Sequence, residues 1–318
     1  MESVTLDDLD RQLLHALQLD GRASFNRIAG VLGVPERTLA RRYSRLRSSG
    51  AARVSGLVDS RRIGRPEWFV RMRCLPDGAS AVARTLARHP DTSWVTVLSG
   101  GSEISCLLRG AEHLRLDGLA RSPRVVSVQA HRLLRPFMDE DNCWGARVSA
   151  LTPEQAEALR PDYPAVGAAV ALTELDRKLL PELSVDGRAP FPVLARSVGW
   201  SESAVRRRLE HLRRARTVLF SVETDIRLFG FTIECMLWLK VAPGRLTDVG
   251  ETLSRDIEAA FVAAVTGTAN LMAYVVCRDA DALYAYLTGR VGAMDGVQDI
   301  ETVPITGYAK RVGAPVAG

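Results

Sequence analysis

Between residues 35 and 46 the stretch PERTLARRYSRL puts Arg37, Arg41, Ser44 and Arg45 on one side of a helix, with Thr38 at its edge and Arg42 toward the flank. The other side carries Leu39, Tyr43 and Leu46 at i, i+4 and i+7. A guanidinium can pair bidentately with the edge of guanine, worth roughly 1–3 kcal/mol of discrimination, or meet a phosphate as a charge. The helix is therefore read as one that enters a groove of double-stranded DNA. Arg41 is the first candidate for a base contact, and Arg37 and Arg45 for bases or phosphates. Arg42 points to phosphate or an internal ion pair, and Thr38 and Ser44 complete the face.

The same pattern returns 166 positions later as SESAVRRRLEHL, with Val205, Leu209 and Leu212 as its apolar face. The second polar face offers Ser203, Arg207, Glu210 and His211, with Arg208, like Arg42, toward the flank and pointing to phosphate or an internal ion pair. Arg207 matches Arg41, but Arg37 has become Ser203 and Ser44 has become Glu210. Glu210 can accept from a cytosine amino group, yet Arg214 at i+4 is its expected partner. Between Leu6 and Arg47, 19 of 42 positions are identical at this offset without a gap, which marks a tandem duplication.

Charge follows the repeat. From Arg22 to Arg65 eleven arginines face only Glu36 and Asp59, net +9. From Arg188 to Gly230 nine arginines face four acids, net +5, so with a total of +5 the rest of the chain carries −9. Positive charge confined to two repeated segments is what a phosphate-binding surface needs. The 318 residues, 47% hydrophobic and 25% charged, suggest a globular chain of two or more domains. The opening MESVTLDDLDRQ is acidic and has no apolar run, so it is not read as a signal peptide, and no window is apolar enough to span a bilayer. Cys74, Cys106, Cys143, Cys235 and Cys277 lie far apart and read as buried thiols of a cytoplasmic protein. No nucleophile triad, phosphate-cradling glycine loop or metal-ligand cluster is present, so neither a cofactor nor a metal is expected.

The elements that must position the arginines are short. A helix is expected over residues 8–18, with Asp7 as N-cap, Asp10 as its capping-box partner and Asp20-Gly21-Arg22 ending it, Gly21 being able to take a positive φ. A second helix over 25–32 closes at Gly33, and Pro35 opens the third. This is a helix-turn-helix, followed by a strand or wing at 52–58.

The run from Leu6 to Ala51, with LDDLDRQLL, the Asp20-Gly21-Arg22 turn and the hinge Ile63-Gly64-Arg65-Pro66, resembles the DNA-binding region of Lrp/AsnC transcriptional regulators. Downstream, strands at 67–74, 93–98, 103–108 and 124–134 and helices at 79–88 and 111–119 give the order βαββαβ. It is similar to the effector-binding and assembly domain of that family, which pairs into dimers and often senses amino acids. The resemblance implies an effector turn, here Gly100, Gly101 and Glu103 in the first copy and Gly267, Thr268 and Asn270 in the second. Asparagine cannot neutralise an ammonium group as a carboxylate can, so the second turn is expected to bind differently or not at all.

The expected class is α+β: two winged helix-turn-helix domains (1–62 and 171–228) and two ferredoxin-like, RAM-type βαββαβ domains (63–136 and 229–311). Residues 137–170 are read as a spacer, with Thr152-Pro153 opening a short helix, and 312–318 as a tail. In the second βαββαβ domain strands are expected at 232–241, 260–266, 270–276 and 299–305, and helices at 246–255 and 280–287. One chain then holds both members of a family dimer, a covalent pseudo-dimer preferring an imperfect palindrome. Its partners are double-stranded DNA, an amino-acid-like effector and further copies of itself through the βαββαβ domains, with no membrane. An enzyme is not expected. The alternatives are a sirohaem-decarboxylase-like enzyme, for which His89, His113 and His131 are the histidines in place, and a sensing protein that no longer binds DNA.

Overall fold

A computed structural model describes residues 5–75, 78–89, 91–109, 122–138, 150–163, 170–311 and 314–315. The first copy comprises α1 (Asp8–Leu19), α2 (Phe25–Leu32), α3 (Glu36–Ser48), β1 (Ala52–Val58), β2 (Glu67–Cys74), α4 (Ala79–Arg88), β3 (Thr92–Leu98), β4 (Glu103–Arg109) and β5 (Val125–Pro136). A short α5 (Pro153–Leu159) follows. The second copy comprises α6 (Glu174–Val185), α7 (Phe191–Val198), α8 (Glu202–Arg214), β6 (Val218–Thr224), β7 (Ile233–Val241), α9 (Leu246–Leu253), β8 (Ala259–Val265), β9 (Leu271–Cys277), α10 (Ala280–Ala285), β10 (Val297–Arg311) and β11 (Ala314–Pro315). The expected helix at 111–119, His113, the acidic residues 139–141 and Cys143 lie outside the described residues. The other four cysteines are buried and free.

The chain divides into two compact units, and each takes residues from both copies: the chain up to Gly64 joins Val148–Leu228, and Arg65–Arg147 joins the chain from Phe229 on.

In the first unit the helix boundaries follow from local chemistry. Asp7 accepts from the backbone of Asp10 at 2.9 Å while Asp10 accepts from that of Asp7, a reciprocal cap that Thr173 and Asp176 repeat at α6. Gly33 and Gly199, at φ 68° and 78°, end α2 and α7 in the left-handed conformation that glycine adopts without strain. Gly21 corrects the sequence reading, because its φ is not positive. Its missing Cβ makes room instead: a Cβ there would lie 2.5 Å from that of Phe220 in the other copy. The strand expected after α3 is present as β1, which buries Val54 in the core of its own module. It pairs antiparallel with β6, from Ala52 opposite Thr224 to Val58 opposite Val218.

The two Asp-Gly-Arg turns interlock beside this ribbon. Arg22 donates to the carbonyls of Gly187 (2.7 Å) and Ala189 (3.1 Å), and Arg188 donates to that of Gly21 (2.7 Å). Arg213 meets Asp20 at 2.7 Å and Arg47 meets Asp186 at 2.8 Å. Burial, with Arg188 and Arg213 nearby, pulls the Arg22 guanidinium down to about 10.

The spacer reading is also corrected. Leu151 and Leu159 lie in the core of the first helix-turn-helix with Leu13, Leu17 and Ile28, and Arg27 holds the carbonyls of Ala158 and Arg160 at 2.9 Å each. Phe137 and Met138 pack into the core of the second βαββαβ module, where Phe137 fills the space left by Gly250. A polar, proline-bearing stretch hides such anchors because single apolar residues in it have no period.

In the second unit eight strands run β10-β3-β4-β2-β5-β8-β9-β7, and β7 pairs back onto β10 to close the ring; β11 extends the end of β10. β5 crosses from its own sheet to β8, and β10 crosses from β7 to β3, so each half lends its last strand to the other. Phe69, Leu98, Leu133, Met236, Trp238 and Val303 form the core shared by both halves. The expected helix at 280–287 becomes α10 followed by a π-helical turn, Tyr286–Val291.

Candidate nucleic-acid interface and effector turns

α3 and α8 each present an apolar face to their module, with Leu39, Tyr43 and Leu46 or Val205, Leu209 and Leu212 buried. On the opposite side of α3, Arg37, Arg41 and Ser44 are exposed, and Thr38 is half-buried. Among the described residues Arg37 and Arg41 make no ion pair or hydrogen bond, so both guanidiniums are free to meet a polyanion.

Arg42 and Arg45 are not free. Both reach back to α1, where Asp10 is fully buried: Arg42 meets Asp10 at 2.9 Å and Asp7 at 2.6 Å, and Arg45 also pairs with Asp10. Hydrogen bonds donated to Asp7 and Asp10 outweigh desolvation and raise the Arg42 guanidinium above its ordinary value. In the second copy Arg208 meets Asp176 at 2.6 Å, again against a fully buried carboxylate. Burial alone would raise Asp176, but Arg208 and Thr173 more than offset it and hold the carboxyl below its usual range. Of the two roles expected of Arg42 and Arg208, phosphate contact or internal ion pair, both side chains take the second here, because a buried carboxylate must be paired. Arg45 belongs with them, although it is half-exposed and on the groove side.

The second groove face differs from the first. Arg207, Ser203 and His211 are exposed, and Arg207 has no partner among the described residues. Ser203 shares a 3.2 Å hydrogen bond with Ser201. Glu210 meets Arg214 at 3.0 Å and Arg213 at 3.6 Å, the partnership expected from its i, i+4 spacing.

The effector turns lie in the other unit and are not alike. At the first, Ser99, Gly100 and Gly101 all have positive φ, 48°, 68° and 93°. Glu103 is buried and accepts from Arg71 at 2.5 and 3.2 Å, and Arg71 donates to Glu301 on β10 at 2.8 Å twice. Burial opposes the charge on Arg71, but hydrogen bonds to Glu301 and Glu103 outweigh it and raise its pKa; the same bond to Arg71 lowers Glu301. Arg71, Arg73 and Glu301 are absent from the sequence reading. The signal was there: in Glu67–Cys74 arginines alternate with apolar residues, placing charge on a strand face that should be apolar.

At the second turn the Asn270 side chain accepts from the Val241 N–H at 2.9 Å and donates to its carbonyl at 2.8 Å, so its amide is spent on the backbone. Gly267 (φ 120°) lies against His131, whose Nδ1 is 2.8 Å from the Thr266 carbonyl. Thr266 Oγ1 accepts from the Arg132 N–H at 2.8 Å, and Thr268 is exposed. Where the resemblance implied ligand contacts, Asn270 thus bonds the Val241 backbone and Gly267 packs against His131. Of the three histidines weighed for catalysis, His89 is exposed near Asp91 and His131 is buried at this turn. Among the described residues no three His, Cys, Asp or Glu side chains gather to hold a metal, and no helix is long and apolar enough to cross a membrane.

The comparisons agree with this division. The model of the AsnC-type helix-turn-helix domain matches residues 6–47 and again 172–213, and that of the Lrp/AsnC ligand-binding domain matches 234–312. An HTH-type transcriptional regulator of Pyrococcus abyssi is 28% identical over 142 residues, 44% of this chain and 90% of the relative. LrpA of Pyrococcus horikoshii, an HTH-type transcriptional regulator, is 28% identical over 130 residues, 41% of this chain and 92% of the relative. Among solved structures the sirohaem decarboxylase NirDL matches with a TM-score of 0.63 over 97% of this chain and 94% of its own, at 17% identity, a likeness of fold.

Proposed function

Because the chain belongs to the Lrp/AsnC family of transcriptional regulators, as a tandem duplication, we propose that it is a sequence-specific regulator that binds double-stranded DNA through α3 and α8 and reads two unlike half-sites. The observation that carries this is the contrast between the groove faces. α3 offers the free guanidiniums of Arg37 and Arg41, whereas α8 offers that of Arg207, with Ser203 and His211 beside it and Glu210 committed to Arg214. On a pseudo-two-fold, two recognition helices enter successive major grooves about 34 Å apart. A homodimer has the same helix twice and favours a palindrome; this chain favours an imperfect one. The ligand-binding modules then supply control by a small effector at the Ser99–Glu103 turn and contacts to further copies. The protein acts in the cytoplasm and needs no cofactor.

The test is a salt-dependent titration of the purified chain against its own upstream DNA and a shuffled control, followed by footprinting. Sequence-dependent binding with a steep salt slope and unequal half-sites supports the reading. Equal, weak binding to both DNAs, or best binding to two identical half-sites, contradicts it. The full-length likeness to NirDL gives the enzymatic alternative its own readout: haem-like absorbance of the purified protein, with turnover of a tetrapyrrole, would replace the regulator reading.

A further inference from the structure

Each recognition helix is tied at its last turn to the module of the other copy. Arg47 on α3 meets Asp186 at 2.8 Å, and Arg213 on α8 meets Asp20 at 2.7 Å. Each aspartate opens the Asp-Gly-Arg turn that ends the other module's first helix. At the constant offset of 166 the two ties are equivalent, and in a homodimer symmetry would make them identical.

Here they are unequal. Arg213 and Asp20 are 16% and 8% exposed, whereas Arg47 and Asp186 are 51% and 17% exposed. The Arg213 guanidinium also lies 5.5 and 5.8 Å from the ring centres of Tyr163 and Phe220, while Arg47 has no ring beside it among the described residues. Phe220 packs against the cores of both modules, and its counterpart in the first copy is Val54. An exposed ion pair is screened by water and holds little, but a desolvated one resists any movement that separates its charges. The β1–β6 ribbon and the carbonyl bonds of Arg22 and Arg188 join the modules; the two ties act on the ends of the recognition helices themselves.

We propose that the Arg213–Asp20 pair sets the placement of α8 relative to α3, and with it the half-site spacing that the chain accepts, while the equivalent Arg47–Asp186 pair contributes little. Asp20 and Arg213 are then positioning residues, which decide the geometry of reading without touching a base. This inference rests on the DNA-binding reading above and adds to it the residues that fix the spacing.

Asp20→Asn and Asp186→Asn form a matched test. Each asparagine keeps the turn hydrogen bond from the N–H two residues on, Arg22 at 2.9 Å or Arg188 at 3.0 Å, and loses only the charge. Neither position lies on a groove face. The full chain is titrated against its footprinted operator and against versions with one base pair added or removed between the half-sites, which moves one half-site by about 3.4 Å and turns it by about 34°. The unaltered chain should lose about tenfold in affinity at either changed spacing, Asp20→Asn should cut that loss to about threefold or less, and Asp186→Asn should keep it. Arg213→Gln breaks the same pair from α8, leaves Arg27 beside Asp20 at 3.8 Å, and carries the same expectation even where Asp20→Asn fails to fold. An unaltered chain indifferent to spacing, a loss from Asp20→Asn that is the same at every spacing, or equal flattening by Asp20→Asn and Asp186→Asn overturns the proposal.

A second readout needs no DNA. Nitroxides on unnatural side chains in place of Arg37 and Arg207 report the distance between α3 and α8 by electron paramagnetic resonance. That distribution should broaden in Asp20→Asn and stay narrow in Asp186→Asn; equal widths in the two overturn the proposal. If the unaltered chain binds no DNA in a sequence-dependent way, the regulator reading falls, and the distance distributions alone decide this inference.

Discussion

Asp10 and Asp176 hold the same place in the two copies but keep different company. Each is fully buried on the first helix of its module and reaches the recognition helix, yet Asp10 pairs with two arginines, Arg42 and Arg45, while Asp176 pairs among the described residues with one, Arg208, since His211 stands where Arg45 does. Removing one partner of a buried pair costs about 3 kcal/mol or more when the other charge is stranded. Arg208→Ala should therefore destabilise the chain by about 3 kcal/mol in urea unfolding, and Arg42→Ala by clearly less, because Arg45 remains on Asp10. Equal losses would mean that Arg45 does not share the load. Sequence reading saw Asp10 only as a capping partner, a role it does fill. The ion pair escaped because its members are 32 and 35 residues apart and nothing local links them.

The element whose role changed most is α5. Its first residues have the expected cap, Thr152 and Gln155 bonding each other's backbone N–H, but what it packs on is set by Leu151, Leu159, His15 and Arg27. The Leu151 N–H donates to His15 Nδ1 at 3.3 Å, which needs a neutral imidazole. Burial, helped by Arg160, lowers the His15 pKa. The sign follows: a histidine depressed in the packed state contributes its full share above the ordinary imidazole value of about 6.5 and loses it as pH falls below that. Amide protection over 151–159, corrected for intrinsic exchange, should thus fall between pH 7.5 and 5.5, and His15→Phe should remove the pH dependence. Protection unchanged with pH would show that His15 does not hold α5. The second module has Pro181 at the matching position and Val193 in place of Arg27, so it lacks both anchors.

At the scale of the whole molecule, fusion frees positions that a homodimer would be forced to repeat. The Arg71 guanidinium lies 4.9 Å from the centre of the Trp238 ring, and register makes these two residues equivalent across the pseudo-two-fold. In a homodimer one residue type would face itself there, two cations or two indoles. Here the pair is heterotypic, and the ring accepts the cation's field. Trp238→Arg should accordingly destabilise the βαββαβ unit by about 3–5 kcal/mol, through an unpaired buried charge, with Trp238→Phe losing far less. Thermal unfolding of both variants is the check, and similar losses would assign the effect to packing alone. The same freedom separates Glu103 from Asn270, and Val303 from His131.

The sequence by itself determined the duplication, the helix-turn-helix modules with their caps, the βαββαβ order of the second copy and the contrast between the groove faces. These rest on periodicity, capping and identity at a fixed offset, which are local or repeat in one dimension. The closed eight-stranded ring, the pairing of β1 with β6 and the folding of Phe137, Leu151 and Leu159 into cores of different modules were decided only by tertiary structure. So was the division of the arginines into those with no ion pair among the described residues, Arg37, Arg41 and Arg207, and those bound, Arg42, Arg45 and Arg208. Every charge on a helix face looks alike in sequence; a buried carboxylate from another helix is what tells them apart.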